Sequence, residues 1–339
     1  MGKYTGDGWL NFEYLIKMHQ PFIFAVGARG IGKTYGAIKY CIENNLKFVF
    51  VRRSNVQLQF ISSPVSHMLK PYLTEVGSWD RCSTDPLKDV GYIYKLDDEV
   101  IGIGTSLTMV SNVRGFDGTD FDVIIFDEFI PKKGERVLTD EGANIADLYE
   151  TINRNRELEG SKPVKLICLA NSTSGNNPMF NYYNLVDVYA RLQKKNKEVY
   201  INPERGCCIV RYDYSPISAK KKETALYKFA KGTAYYNMAI DNMAEDVTEF
   251  HQAVVNISEY QPIVKIGDIV IYKHKVLQRK FYVTKYLSGS CKEIAADEKG
   301  YIVFRHDYWT LKEHYVNNHI GFYDYSDECA FRLACGLKW

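Results

Sequence analysis

Between Pro21 and about Ala170 the chain alternates short, almost wholly apolar runs with longer stretches in which apolar and polar residues mix at helical spacing. That alternation predicts strands of a parallel sheet joined by covering helices. Four runs qualify as strands: Phe22–Val26, Phe48–Arg52, Val123–Phe126 and Lys165–Leu169. Tyr92–Leu96 and Val100–Gly104 flank Asp97-Asp98 and predict a hairpin inserted into this scheme.

Beyond Asn171 the texture changes. The polar run Ser172–Pro178 predicts a loop, and a tyrosine-rich helix follows to Val188. The charge run Lys194–Glu198 closes that region, and Ser218 to Lys231 then predicts a helix that carries Lys220, Lys221 and Lys222 near its start. From about Pro262 to Val303 several short runs predict strands, namely Ile269–Lys273, Lys280–Lys285 and Gly300–Phe304, with a helix or two behind them. The division expected is an α/β domain over 1–197 and a smaller α+β domain over 231–339, joined by the stretch 198–230. No internal repeat or low-complexity tract interrupts it.

A length of 339 residues suits two domains, and 46% apolar residues can fill their cores. Forty-three basic against 41 acidic side chains leave a formal charge of +2, so any polyanionic partner must be held by a local patch. The dense basic runs are Lys194, Lys195 and Lys197, and Lys220 to Lys222; Lys88 and Lys132-Lys133 are sparser alternatives. The eight cysteines show neither C-x-x-C pairs nor zinc-like spacing, which predicts reduced thiols. The first residues do not read as a signal peptide, and no run reaches the roughly 18 apolar residues of a membrane span. A soluble cytoplasmic chain without a membrane partner is the expectation.

The first chemical signal is Gly27-Ala28-Arg29-Gly30-Ile31-Gly32-Lys33-Thr34, a complete G-x-x-x-x-G-K-[ST] between a predicted strand and a predicted helix. The glycines let backbone N–H groups turn in on phosphates, and the helix N-terminus adds partial positive charge. Lys33 would reach the β- and γ-phosphates of ATP and Thr34 would ligate Mg²⁺. Arg29 is either a further phosphate contact or a surface arginine.

The second is Asp122-Val123-Ile124-Ile125-Phe126-Asp127-Glu128, an apolar strand that ends in two carboxylates. Asp127 is placed to hold Mg²⁺, and Glu128, one residue further out, to polarise the attacking water. A strand that simply meets solvent also ends this way; the phosphate loop tips the reading to hydrolysis. Small-molecule kinases also use a P-loop but hand the phosphoryl group to a substrate instead of to water, and an N-K-x-D guanine reader is absent from the sequence. Asn171 closes a third apolar strand, which in the sheet order of such ATPases lies between the other two, where it could touch the γ-phosphate or the attacking water, or simply cap the strand. Arg154 and Arg156 end a helix that starts near Asp140. A guanidinium beside a γ-phosphate is worth roughly 10³–10⁵ in rate, and two arginines at i and i+2 point apart, so at most one is such a finger.

Together these residues resemble the genome-packaging ATPases of tailed phages, and most closely the compact form of small podophages that package protein-primed DNA. The resemblance rests on GARGIGKT (Gly27–Thr34), FVRR (Phe50–Arg53), IFDEFI (Ile125–Ile130), RNRE (Arg154–Glu157) and ICLANS (Ile167–Ser172), in the family's order over roughly residues 20–190. It implies a P-loop ATPase domain of the ASCE type, and a homomeric ring, of five subunits in this family's pattern, on the portal vertex of a procapsid in the host cytoplasm. Such a ring drives double-stranded DNA inward. It further implies Lys33 and Thr34 as phosphate and Mg²⁺ ligands, Asp127 as metal partner, Glu128 as catalytic base, Arg154 as a finger acting on a neighbour, and Asn171 in a coupling motif. The second domain would be RNase H-like, reached through a short helical linker over 198–230, with its cutting function lost, contacting DNA and a structural packaging RNA. Asp268, Asp297, Asp307 and Asp324 are scattered in the sequence and form no evident cluster for two cations.

Two other classes share these motifs. A helicase or DNA-segregation ATPase would separate strands or bind host proteins without a portal. A nucleotide-binding regulatory protein would bind without turnover.

Overall fold

The computed structural model describes residues 2–113, 115–131, 138, 140–171, 175–213, 215–233, 236, 253 and 255–337. The chain divides into two units: Met1–Thr173, Asn177–Tyr183 and Leu192–Ala244 form the first, and Ser174–Asn176, Asn184–Arg191 and Glu245–Trp339 the second.

The first unit opens with α1 (Phe12–Ile16), β1 (Phe22–Gly27), α2 (Lys33–Glu43), β2 (Phe48–Arg52), α3 (Asn55–Ser62) and α4 (Lys70–Glu75). Next come β3 (Cys82–Leu87), β4 (Gly91–Leu96), β5 (Glu99–Ser106), β6 (Val123–Asp127), α5 (Glu141–Asn153) and β7 (Lys165–Asn171). The unit's remaining elements are α6 (Pro178–Tyr182), the end of α7 (Val186–Lys194), β8 (Val199–Asn202), β9 (Cys207–Tyr212), α8 (Pro216–Lys221) and α9 (Ala225–Phe229).

Its nine strands form one sheet in the order β3-β4-β5-β2-β6-β7-β1-β9-β8. The six in the middle, β5 to β9 in that order, are mutually parallel. Antiparallel hairpins close both edges. The strands predicted from unbroken apolar runs are buried along their length, as a sheet covered on both faces requires. β7 lies between β1 and β6, as the sheet order of P-loop ATPases of this kind implies. Asp97 and Asp98 both take positive φ, 53° and 63°, and make the tight turn that joins β4 to β5. On α5, Ile145, Leu148 and Ile152 recur at helical spacing and are buried.

The sequence reading placed a helical linker over 198–230, and the structure corrects its first half. Val199–Asn202 and Cys207–Tyr212 are a hairpin whose second strand pairs with β1, so the central sheet continues to Tyr212. Cys207 to Val210 is the apolar run that marks it; the charges before it hid the boundary. The helix predicted from Ser218 to Lys231 is two short ones, α8 and α9.

The second unit contains β10 (Tyr260–Ile266), β11 (Ile269–His274), β12 (Phe281–Thr284), β13 (Lys292–Ile294), α10 (Glu298–Asp307), α11 (Thr310–Val316), β14 (Ile320–Phe322) and α12 (Tyr325–Cys335). Its sheet runs β13-β10-β11-β12-β14, an antiparallel meander with a parallel strand at each edge. Val264, Ile271, Val283, Phe304, Phe322 and Phe331 pack its core. The expected class, a P-loop α/β sheet with a smaller α+β second unit, is the fold observed. Gly300–Phe304, predicted as a strand, is helical: Asp297 Oδ1 accepts from Gly300 N at 2.7 Å and caps the helix start. Among the described residues no helix is long and apolar enough to cross a membrane.

Candidate active site

Because the middle strands run parallel, their carboxyl ends share one edge, where open α/β sheets gather their ligands. That edge presents Gly27 from β1, Arg52 from β2, Asp127 from β6 and Asn171 from β7, all strand-terminal residues.

The loop from Gly27 to Gly32 turns on left-handed glycines. Gly30 has φ 67° and Gly32 φ 85°, values that side chains disfavour. Gly32 is the N-cap of α2, which begins at Lys33. Ala28 and Ile31 are buried and anchor the loop, while Arg29 is exposed. Buried Lys33 donates from Nζ to three oxygens: Gly27 O at 3.1 Å, Ala28 O at 2.8 Å and Asn171 Oδ1 at 2.9 Å. Burial lowers its pKa to about 7, against the pull of Asp127 and Glu128; Lys221 and Arg29 push the same way as burial. Asn171 reaches this ammonium because β7 pairs with β1 in the register that sets it opposite Gly27.

Thr34, one residue into α2, donates from Oγ1 to Asp127 Oδ2 at 2.7 Å. These are two hard oxygen donors of the kind that suits Mg²⁺, which keeps several waters and takes few protein ligands. Glu128 follows with φ 59°, a left-handed conformation unusual for a non-glycine residue and costing backbone strain. Its N–H donates to Asp127 Oδ1 at 3.1 Å.

Arg52, to which the sequence motifs assign no role, joins the two carboxylates. Its Nη2 lies 3.0 Å from Asp127 Oδ2 and its Nη1 2.9 Å from Glu128 Oε2, so one guanidinium spans both carboxylates. The signal was present: an arginine closing the apolar strand FVFVR is drawn into the sheet edge and needs acidic partners there. Arg53, next along, is paired with Glu141 at the start of α5, both buried, with Nε 3.2 Å from Oε2. That pair fastens α5 to the site's edge.

The two candidate fingers lie elsewhere. α5 runs back across the sheet, and Asn153 at its end accepts through Oδ1 from Val164 N at 2.8 Å, beside the start of β7. Arg154, the C-cap of α5 with φ 43°, donates from Nη2 to Phe116 O at 2.5 Å. Arg156 donates to Phe121 O at 2.7 Å, just before β6. Both therefore sit towards the amino ends of β6 and β7, whereas the phosphate loop of the same chain follows the carboxyl end of β1. Within one chain the structure brings together Lys33, Thr34, Asp127, Glu128 and Asn171 and leaves Arg154 and Arg156 apart.

The profile of the podovirus DNA encapsidation protein (Gp16) family matches residues 7–296. The chain belongs to that family. Among its relatives, the DNA packaging protein of Bacillus phage phi29 is 28% identical over 238 residues, 68% of this chain and 64% of its own length. The chain thus spans somewhat less than two thirds of that relative. The fold is similar, at 18% identity and a TM-score of 0.66, to a chain of the bacteriophage Phi-29 viral genome packaging motor assembly, over 97% of this chain and 99% of that one. A chain of the Phi-28 gp11 DNA packaging motor matches with a TM-score of 0.64 at 16% identity, over 99% of each.

Proposed function

We propose that this protein is an ATP-driven motor that moves double-stranded viral DNA into a procapsid. The observation that carries the proposal is the meeting of Lys33, Thr34, Asp127, Glu128 and Asn171 at one strand edge, in a member of the DNA encapsidation family. In this reading the backbone N–H groups of Gly27 to Gly32 and the Lys33 ammonium bind the triphosphate. Thr34 and Asp127 would hold Mg²⁺, which when bound neutralises charge on the β- and γ-oxygens. Glu128 takes a proton from the water that attacks the γ-phosphorus, and the bond to the leaving ADP oxygen breaks. Arg52 fixes the two carboxylates relative to each other. Asn171, bonded to Lys33, carries the state of the phosphates into the chain beyond β7.

The remote position of Arg154 supports a role in trans: in a homomeric ring, here proposed as a pentamer, its guanidinium would complete a neighbour's site. The proposed setting is the host cytoplasm, with the ring docked on the portal of a procapsid and a structural packaging RNA as a further partner. The second unit is proposed to be an RNase H-like domain that contacts DNA without cutting it. Three of its four scattered aspartates have structural work: Asp297 and Asp324 cap helices, and Asp307 pairs with Lys292 at 2.8 Å.

The test is an encapsidation assay with procapsids, ATP and a linear duplex. Wild-type protein should hydrolyse ATP faster with duplex present and shield the DNA from nuclease; Lys33→Ala should do neither. Hydrolysis coupled to strand separation, with no shielding, would move the protein to the helicases.

A further inference from the structure

The lysine run at 220–222 does not behave as a uniform patch. Lys221 ends α8 half-buried and donates from Nζ to the carbonyl of Arg29, inside the phosphate loop, at 2.7 Å. A Cβ on Gly30 would lie 2.2 Å from that Nζ, so the ammonium rests directly on the loop's crown. No carboxylate among the described residues pairs with it. Lys221 is lowered by burial and then by Arg29, and Lys33 in turn feels both. Three cations are thus held around one short loop, an arrangement that repels itself until an anion enters.

The placement follows from the fold. β9 is parallel to β1 with Tyr212 opposite Gly27, so the chain leaving β9 emerges beside the phosphate loop. Ser215 Oγ then donates to Gly8 O at 2.6 Å, and Pro216 packs so closely on Gly8 that a Cβ there would meet it at 2.6 Å. The N-terminal segment is itself tied to the loop by Leu10 N donating to Ile31 O at 2.9 Å. α8 is clamped to the nucleotide edge from two sides.

We infer that Lys221 is a second phosphate-binding lysine of this site, whose ammonium passes from the Arg29 carbonyl to an oxygen of the bound triphosphate. This rests on the nucleotide reading above and adds a contact from a helix that follows the sheet. The shared chemistry is a phosphate oxyanion, and duplex DNA could supply one as well as ATP; the half-buried position on the loop favours ATP.

Two measurements test it. In the wild-type protein, amine acetylation read by mass spectrometry should show Lys221 shielded by ATP·Mg²⁺ and unshielded by duplex DNA alone, with Lys228 unaffected by either. Binding of a non-hydrolysable ATP analogue should weaken about tenfold or more in Lys221→Met, as loss of a charged hydrogen bond predicts, and recover in Lys221→Arg. Lys221→Met binding within twofold of wild type, or shielding by DNA and not by ATP, overturns the inference. If wild type and Lys33→Ala bind the analogue equally poorly, it is the nucleotide reading itself that has failed.

Discussion

Arg52 Nη1 lies 2.9 Å from Glu128 Oε2, so the residue proposed as general base is held by a cation from the adjacent strand. A neutral amide at 128 can keep a hydrogen bond to that guanidinium but cannot take a proton from water. Glu128→Gln should therefore bind ATP·Mg²⁺ normally and lose about 10²–10⁴ in turnover, measured by phosphate release under saturating ATP. Hydrolysis within tenfold of wild type would remove Glu128 from the role.

The finger is tested by mixing. Arg154→Ala and Glu128→Gln subunits should each be inactive, yet rings containing both should regain activity wherever an intact Glu128 meets a neighbour's intact Arg154. No recovery at any ratio, in rings shown to hold both types, would leave Arg154 as the support of the Phe116 carbonyl that it contacts within its own chain.

Stability makes its own prediction at Arg53 and Glu141. Removing one charge of a buried pair leaves the other less compensated, so Glu141→Gln should cost up to about 3–5 kcal/mol in urea unfolding of the first unit. The double variant Arg53→Met, Glu141→Leu should recover most of that loss. Equal losses for single and double variants would show that the pair is not coupled.

For DNA, the candidate lysines differ in where they lie. Lys194, Lys195 and Lys197 are exposed at the end of α7 and just beyond it, and Lys88 is exposed in the β3–β4 turn; Lys132-Lys133 lies outside the described residues. Replacing Lys194, Lys195 and Lys197 together should reduce the salt slope of duplex binding by roughly 2–3. An unchanged slope would send the DNA contact to another surface.

Asp327 predicts a pH dependence in the second unit. Burial first, then the nearby Asp324, raise its pKa from 3.8 to about 7, and both carboxylate oxygens lack a hydrogen-bond partner among the described residues. The folded unit then binds this proton more tightly than the unfolded chain, so stability is full below pH 3.8 on this account and falls as pH climbs towards 7. Asp327→Asn should flatten that decline in thermal melts and raise the melting temperature at pH 8. A variant whose pH profile parallels wild type would mean that Asp327 does not titrate there.

Much of the site was legible because its chemistry constrains adjacent residues. GARGIGKT and the Asp127-Glu128 pair each work as a local string, and a string can be read. Arg52 could not be given its partners, since they depend on β2 lying beside β6, and Lys221 could not be placed without knowing that β9 runs along β1. The hairpin Val199–Tyr212 was missed for a related reason: it follows a charge run and precedes helices, so local texture pointed to a linker. Gly300–Phe304 reads as a strand over five residues, and only Asp297, three residues back, marks a helix start.

β1, the strand that carries the phosphate loop, finds its two neighbours very late. Phe22 pairs with Leu166 and Cys207, some 145 and 185 residues downstream. At a synthesis rate of about 5–20 residues per second, roughly ten to forty seconds pass between the emergence of this apolar strand and the arrival of its last partner. Once β7 has arrived one edge of β1 is paired, but the other stays open until Cys207, and a fragment cut at residue 197 would leave that edge open for good. Such a fragment should aggregate, whereas one extended past Tyr212 closes the sheet with its own hairpin.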